Sequence, residues 1–186
     1  MVVTSPTHPS VQVWVATLAQ ADLEMRRWLN DPELERLRRY EGDADRARFM
    51  LGAAMLRSAA ATVLGMRPQD VPVDRSCGSC HRWHGPPRVP GSPLALSVSH
   101  SGLVVAVALA KGGRVGIDVE RDGRRGLQHT EAWTRAEARR KAGDGQGLVA
   151  YELPAPAAGH VMSIVTEAGA RVGVRPAQEL FVVYSD

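Results

Sequence analysis

Residues 94–120 read LALSVSHSGLVVAVALAKGGRVGIDVE. Residues 94–99 predict a strand. Residues 103–110, LVVAVALA, predict a second one that is apolar throughout and so has to be buried. Gly112-Gly113 predicts a turn, and residues 114–119, RVGIDV, a third strand. Working outward toward the N-terminus, residues 66–93 are rich in Pro, Gly and Ser and read as loop. Before them, Phe49, Ala53, Leu56, Ala60 and Val63 recur at helical spacing. They predict an amphipathic helix capped by Asp43, running to about Leu64 and ended by Gly65. Residues 32–40, PELERLRRY, begin a basic helix after the stop at Asn30-Asp31. Residues 20–29 suit a short helix and residues 11–18 a strand. Working toward the C-terminus, residues 121–130 read as an irregular connection. A helix follows from Thr134 to about Ala142, then strands at 148–153, 160–166 and 179–184. Helix followed by antiparallel strands occurs roughly twice, which places the chain in the α+β class.

The bulk numbers narrow the function. The chain has 186 residues, 44% hydrophobic and 23% charged, as in an ordinary globular protein. Its length fits one domain or two small packed halves. A net charge of +3, with no basic run interleaved with aromatics, argues against nucleic acid but allows a small polyanion or an acidic partner. No stretch approaches the ~18 apolar residues of a membrane helix. The first residues lack a charged n-region with a long apolar core, so a cytoplasmic location is expected. Two cysteines do not make a secreted disulfide framework. The basic residues are nearly all Arg, with Lys at 111 and 141 alone. With abundant Ala, that composition points to high-GC bacterial coding.

Four groups of residues could carry chemistry. Asp118 and Glu120 lie two apart on a predicted strand and aim at one side. Two hard oxygen ligands beside a phosphate suit Mg²⁺; two solvated acids on an open strand face read the same way. Trp133, Glu137 and Lys141 lie four apart and share one helix face. Glu137 there completes a metal site or, with Thr134, a capping box. Lys141 offers a compact point charge for a phosphate or an ion pair for Glu137. Ser97-Val98-Ser99-His100-Ser101-Gly102 offers hydroxyls, backbone N–H groups and an imidazole at a turn, which suits a phosphate or serves as a polar hairpin turn. No G-x-S-x-G elbow is present, so a serine hydrolase is disfavoured. Cys77-x-x-Cys80-His81-x-x-His84 could hold Zn²⁺ or form a loop with reduced thiols.

Taken in order, S-x-S-H-S-G at 97–102, V-G-I-D-V-E at 115–120 and W-T-x-x-E-A-x-x-K at 133–141 resemble the Sfp-type 4'-phosphopantetheinyl transferases. The run from Arg36 through Arg39, Arg46, Arg48, Phe49 and Arg57 is similar to that family's basic helix pair. His84-Gly85-Pro86-Pro87-Arg88 is similar to its loop ahead of the S-H motif. The resemblance implies a pseudo-two-fold fold of two α/β halves with antiparallel sheets, drawn here as residues 1–102 and 103–186. Coenzyme A would lie between the halves as co-substrate. The resemblance places Asp118, Glu120 and Glu137 on Mg²⁺. It places Lys141 on the diphosphate, Ser99 and His100 on the phosphate-binding turn, and Arg36 near the 3'-phosphate. Arg48 belongs to the same basic set. Glu137 and Lys141 would carry the catalytic roles. The implied reaction moves phosphopantetheine to a serine of an acyl or peptidyl carrier protein of polyketide, nonribosomal peptide or fatty acid synthesis. Both halves sit in one chain, so a monomer suffices.

The chain departs from the family pattern in four places. Ala136 stands where the family has a lysine. Gly85-Pro86-Pro87 stands for G-K-P, with Arg88 as the substitute cation. Leu96-Ser97-Val98-Ser99-His100 stands for F-N-x-S-H. The connection from Glu120 to Trp133, where the family carries a carrier-facing helix, is short. These departures leave a second expectation: a relative that binds coenzyme A or another ligand, or has a different natural-product biosynthetic activity, without transfer to a carrier.

Overall fold

In the computed structural model, which describes residues 9–80, 82–123 and 127–182, the apolar run forms β5 (Val104–Lys111), buried at every position but the last. It pairs antiparallel with β4 (Leu94–Ser101) on one side and β1 (Ser10–Thr17) on the other. Further on, β6 (Val115–Arg121), β7 (Leu148–Leu153) and β8 (His160–Glu167) form a second antiparallel sheet in the order β6-β8-β7. β9 (Arg171–Pro176) returns to the first sheet, parallel to β1, giving β4-β5-β1-β9. A small hairpin, β2 (Asp74–Ser76) with β3 (Trp83–Arg88), stands apart. The helices are α1 (Asp31–Arg38), α2 (Asp43–Leu64), α3 (Leu127–Ala142) and α4 (Gln178–Val182). The chain is therefore α+β, with sheets that are antiparallel throughout except for the β1–β9 pair.

Strand alternation sorts β5 into two cores. Val105, Val107 and Leu109 pack with α2 residues such as Leu56. Val104, Ala106 and Ala108 meet Ile117, Val119, Met162 and Ile164 from the second sheet. On that sheet's far side Leu148 and Val165 pack with Ala138 and Ala142 of α3. The result is four layers: helix, sheet, sheet, helix. Connectivity repeats as well. Strand, helix, hairpin runs as β1-α2-β4-β5 and again as β6-α3-β7-β8. The sheet orders β4-β5-β1 and β7-β8-β6 then correspond strand for strand. The repeat divides at Gly112-Gly113; the division expected at 102/103 falls inside the β4–β5 hairpin.

Several local expectations are corrected. α2 is not amphipathic in its middle: Phe49 through Ala61 are all buried. The first sheet covers one side, while α1, α4 and short 3₁₀ turns cover the rest. Eighteen residues of α2 with mean hydropathy 1.2 match a membrane span in length and composition, against the sequence expectation. That apolarity reflects its place in the core, since 72% of the window is buried inside the fold. Asp43 is the first helical residue, and Gly42 is the cap. Gly65 ends the helix at φ 66°, as expected. Residues 23–28 form a 3₁₀ helix. The 66–93 stretch, read as loop, holds β2 and β3.

α3 begins at Leu127, well before Thr134, and its upstream neighbours at 124–126 lie outside the described residues. Thr134 is therefore mid-helix rather than a cap. Its buried hydroxyl meets Ser163 Oγ at 3.0 Å on β8 and donates to Glu131 O at 3.0 Å. The strand expected at 179–184 is the helix α4 over its described part, with residues 183–184 outside the described residues. Leu180 is buried there in the α2 core, and the Phe181 ring lies 5.8 Å from that of Trp28.

Arg57, grouped by the sequence with the basic helix face, is fully buried. Its Nε donates to Glu33 Oε2 at 2.6 Å, and its Nη1 to the carbonyls of Val71 and Pro68 at 2.9 and 3.2 Å. Glu33 also accepts from Asn30 N–H at the start of α1. This ion pair ties α1 and α2 to the 68–71 turn and leaves Arg57 out of any surface site.

Candidate functional site

The two sheets meet edge to edge along β4 and β6, and serines make the joint. Ser97, Ser99 and Ser101 alternate onto one face of β4. Their hydroxyls accept from the backbone N–H groups of Ile117, Val119 and Arg121 at 3.0, 3.2 and 3.0 Å. Ser99 donates onward to Asp118 Oδ1 at 2.9 Å, and Ser101 to Glu120 Oε2 at 2.8 Å. Ser99, expected on a ligand phosphate, is thus buried in the seam. Gly102 turns the strand at φ +55°, and a Cβ there would meet His160 Nε2 at 2.5 Å. The serine motif therefore has a structural cause in this chain.

Gly116, Asp118 and Glu120 share the opposite face of β6 from Ile117 and point toward α3. Lys141, on the last turn of α3, reaches into the seam. Its Nζ donates to Asp118 Oδ1 at 2.7 Å, Ile117 O at 3.1 Å and Val98 O at 3.5 Å. The sequence-predicted partners Asp118, Glu120, Ser99 and Lys141 therefore come together. Asp118 is only 4% exposed, and its Oδ2 is buried with no hydrogen-bond partner. A buried carboxylate oxygen left open is costly unless something binds it.

Glu137 is the third expected ligand. Its carboxylate turns to Arg140, 2.6 Å away, which holds its pKa below the usual carboxylate range, with Lys141 adding to the effect. Among the described residues, Asp118, Glu120 and Glu137 do not gather as one compact set of metal-ligand atoms.

Beside this face runs a cleft of about 310 Å³, walled by Arg75, His84, Gly85 and Pro86 on one side and by Lys141 and Arg140 on the other. His84 also borders a second hollow of about 550 Å³, lined by Arg36, Arg39, Tyr40 and Trp83. The two share His84 as a wall. Arg36 is half-buried, with its guanidinium 5.2 Å over the Phe49 ring. Arg48 donates to Gly102 O at 2.6 Å and pairs with Asp45 at 2.6 Å. It thereby braces the turn beside His100.

The His100 side chain is exposed near the end of β4, yet its imidazole lies below its ordinary pKa because the crowd of atoms around it partly desolvates the ring and because Arg48, Lys141 and Arg36 repel a further positive charge. The unfolded chain then binds more protons than the folded one between that lowered value and about 6.5. His100's contribution to stability is full above about pH 6.5 and falls as the pH drops through this window. An NMR titration should find its midpoint below that of a free histidine, and bound inorganic pyrophosphate should move it upward.

Arg88 does not line the cleft. It bridges the hairpin instead, with its Nη2 2.9 Å from both Asp74 Oδ2 and Ser76 O. Arg75 takes the cleft position that Arg88 was expected to fill. Burial, with repulsion from Arg36 and Arg57, brings its pKa down to about 10, so it stays charged at neutral pH. Its Nε is buried with no partner. Nothing in the sequence singles out Arg75, because the β2–β3 pairing that aims it is not legible there. Tyr40 and Trp83 were missed for the same reason: the hairpin brings Trp83 to line one hollow with Tyr40, which follows α1.

The thiol cluster also forms. Cys80 Sγ lies 2.9 Å from His84 Nε2, and Cys77 Sγ 3.1 Å from Ser79 Oγ. Hydrogen bonds from Ser79, together with backbone N–H groups, pull the Cys77 thiol down to about 6. His81 lies outside the described residues.

Comparison of the chain with known protein families and with curated protein sequences finds no match.

Proposed function

We propose that the chain transfers the 4'-phosphopantetheine group of coenzyme A to a serine of an acyl or peptidyl carrier protein, as the Sfp-type transferases it resembles do. The observation that carries this reading is Asp118. It is a buried carboxylate with an open oxygen, held by Lys141 at the junction of two similarly connected halves and bordered by a cationic cleft. The repeated strand-helix-hairpin order supports the pseudo-two-fold fold of that family.

Asp118 and Glu120 supply hard oxygen donors that suit Mg²⁺, or Mn²⁺ equally well. Glu137 would join them by exchanging Arg140 for the ion. Bound there, the ion would neutralise charge on the diphosphate. The chain's own residues account for the rest. Lys141 faces the same phosphates after giving up its longest bond, to Val98 O. Arg36 and Arg75 line the hollows with positive charge for the remaining phosphate, and Arg48 and His100, matched by the resemblance to the phosphate-binding set, would add a cation already paired to Asp45 and a hydrogen-bonding imidazole. Tyr40 and Trp83 offer ring faces to the base. In the transfer, the serine Oγ–P bond forms, the P–O bond to adenosine 3',5'-bisphosphate breaks, and the serine hydroxyl proton passes to a carboxylate such as Glu137 or to water.

The test is a mass-shift assay with coenzyme A, Mg²⁺ and a panel of apo carrier proteins. Wild type should add one phosphopantetheine per carrier, and Asp118→Ala should lose roughly 10²-fold or more in rate. No gain on any carrier overturns the reading.

A second reading, coenzyme A or polyanion binding without transfer, is favoured by how far the site is already satisfied. The Lys141 ammonium has three acceptors and Glu137 has Arg140. Calorimetric binding of coenzyme A by a chain inactive in the mass assay would establish it.

A further inference from the structure

The loop between β2 and β3, with the start of β3, gathers three side chains to which the transfer reaction assigns no chemistry. The Sγ atoms of Cys77 and Cys80 and a ring nitrogen of His84 all lie within 4.8 Å of one another. They are the one such group of His, Cys, Asp or Glu among the described residues. The backbone shapes the cluster: Cys77 N–H donates to Arg82 O at 2.8 Å, and His84 N–H to the same carbonyl at 3.0 Å. Cysteines kept for packing are buried; Cys80 is exposed and Cys77 half-buried, and both are free thiols. Core packing does not account for them.

The donor set selects the ligand. Two thiolates and an imidazole are soft-to-borderline donors that suit Zn²⁺ and are poor for Mg²⁺. Three protein ligands leave one corner of a tetrahedron for water or a further ligand. The placement gives such an ion a task. His84 borders both hollows of the cleft. The next residue, Gly85, sits so close to β2 that a Cβ would meet Ser76 O at 2.9 Å. A tie between Cys77 at the end of β2 and His84 on β3 fixes the strand that walls the cleft.

We propose that Cys77, Cys80 and His84 bind a Zn²⁺ ion that staples the β2–β3 hairpin. The site needs no coenzyme A and no carrier, so it stands or falls apart from the transfer reaction.

The test uses the reduced full chain, stripped with chelator and titrated with Co²⁺. Thiolate-to-cobalt charge-transfer absorption should appear, saturate at about one ion per chain and vanish when Zn²⁺ displaces the cobalt. Cys77→Ser/Cys80→Ser should lose that absorption. Zn²⁺ should raise the unfolding midpoint of wild type and leave the double variant unmoved. It should also slow alkylation of both thiols in wild type, a readout that needs no variant to fold. Full alkylation at saturating Zn²⁺ with no charge-transfer band overturns the proposal. So does a band that survives in the double variant.

Discussion

Gly116→Ala should unfold the protein about 6–12 °C below wild type, a loss of about 3 kcal/mol. A Cβ at this position would sit 2.0 Å from Ala138 O and 2.5 Å from Ala142 N. Both are backbone atoms of α3, so no side chain can swing away. The helix has to lift from the second sheet, and Lys141 sits on the stretch that lifts. The Lys141–Asp118 pair at 2.7 Å should therefore loosen with the helix. On the proposed function, binding of coenzyme A should weaken with it. Thermal unfolding measures the first effect and calorimetry the second. A variant with a wild-type midpoint would show that α3 does not rest on β6 as described.

Arg57→Ala should cost about 3–5 kcal/mol, because it strands the Glu33 carboxylate in the core. Glu33 is 1% exposed and keeps only the Asn30 N–H as a donor once the guanidinium is gone. The carbonyls of Pro68 and Val71 lose their donor too. Arg57→Lys should recover part of the loss, since it restores the charge but not the fork that serves three acceptors. Replacing the pair by Glu33→Leu with Arg57→Met should recover part as well, since no charge is then buried alone. Urea unfolding checks the series: midpoints should fall with the slope unchanged. Loss of coenzyme A binding without loss of stability would return Arg57 to the surface site, against its complete burial.

Legibility followed the range of the forces. β5 and the Gly65 stop could be read because their causes are local: an unbroken apolar run and a left-handed cap. The Asp118, Glu120 and Lys141 grouping could be read from strand and helix periods combined with motif order. β9 could not. Arg171–Pro176 is short and ends in proline, and it is a strand because β1, some 160 residues earlier, offers a free edge. Thr134 misled because S/T-x-x-E marks helix starts, whereas here the hydroxyl serves Ser163 on a neighbouring strand. Arg88 and Arg75 exchanged places because only the pairing of Asp74 with Arg88 decides which cation faces the cleft. Ser99 was read as a ligand contact. Its bond to Val119 N–H depends on two sheets meeting, which no local pattern records.

The serine rungs bear on whether this chain can be taken apart. Two stretches with the same connectivity invite expression as separate pieces cut near Gly112. Each piece would then carry a bare strand edge, β4 with its hydroxyls and β6 with the amides those hydroxyls had covered. Each would also expose an apolar sheet face of Val, Ile and Ala. Open edges beside apolar faces are templates for self-association, so separate halves should precipitate or find each other rather than persist as soluble units.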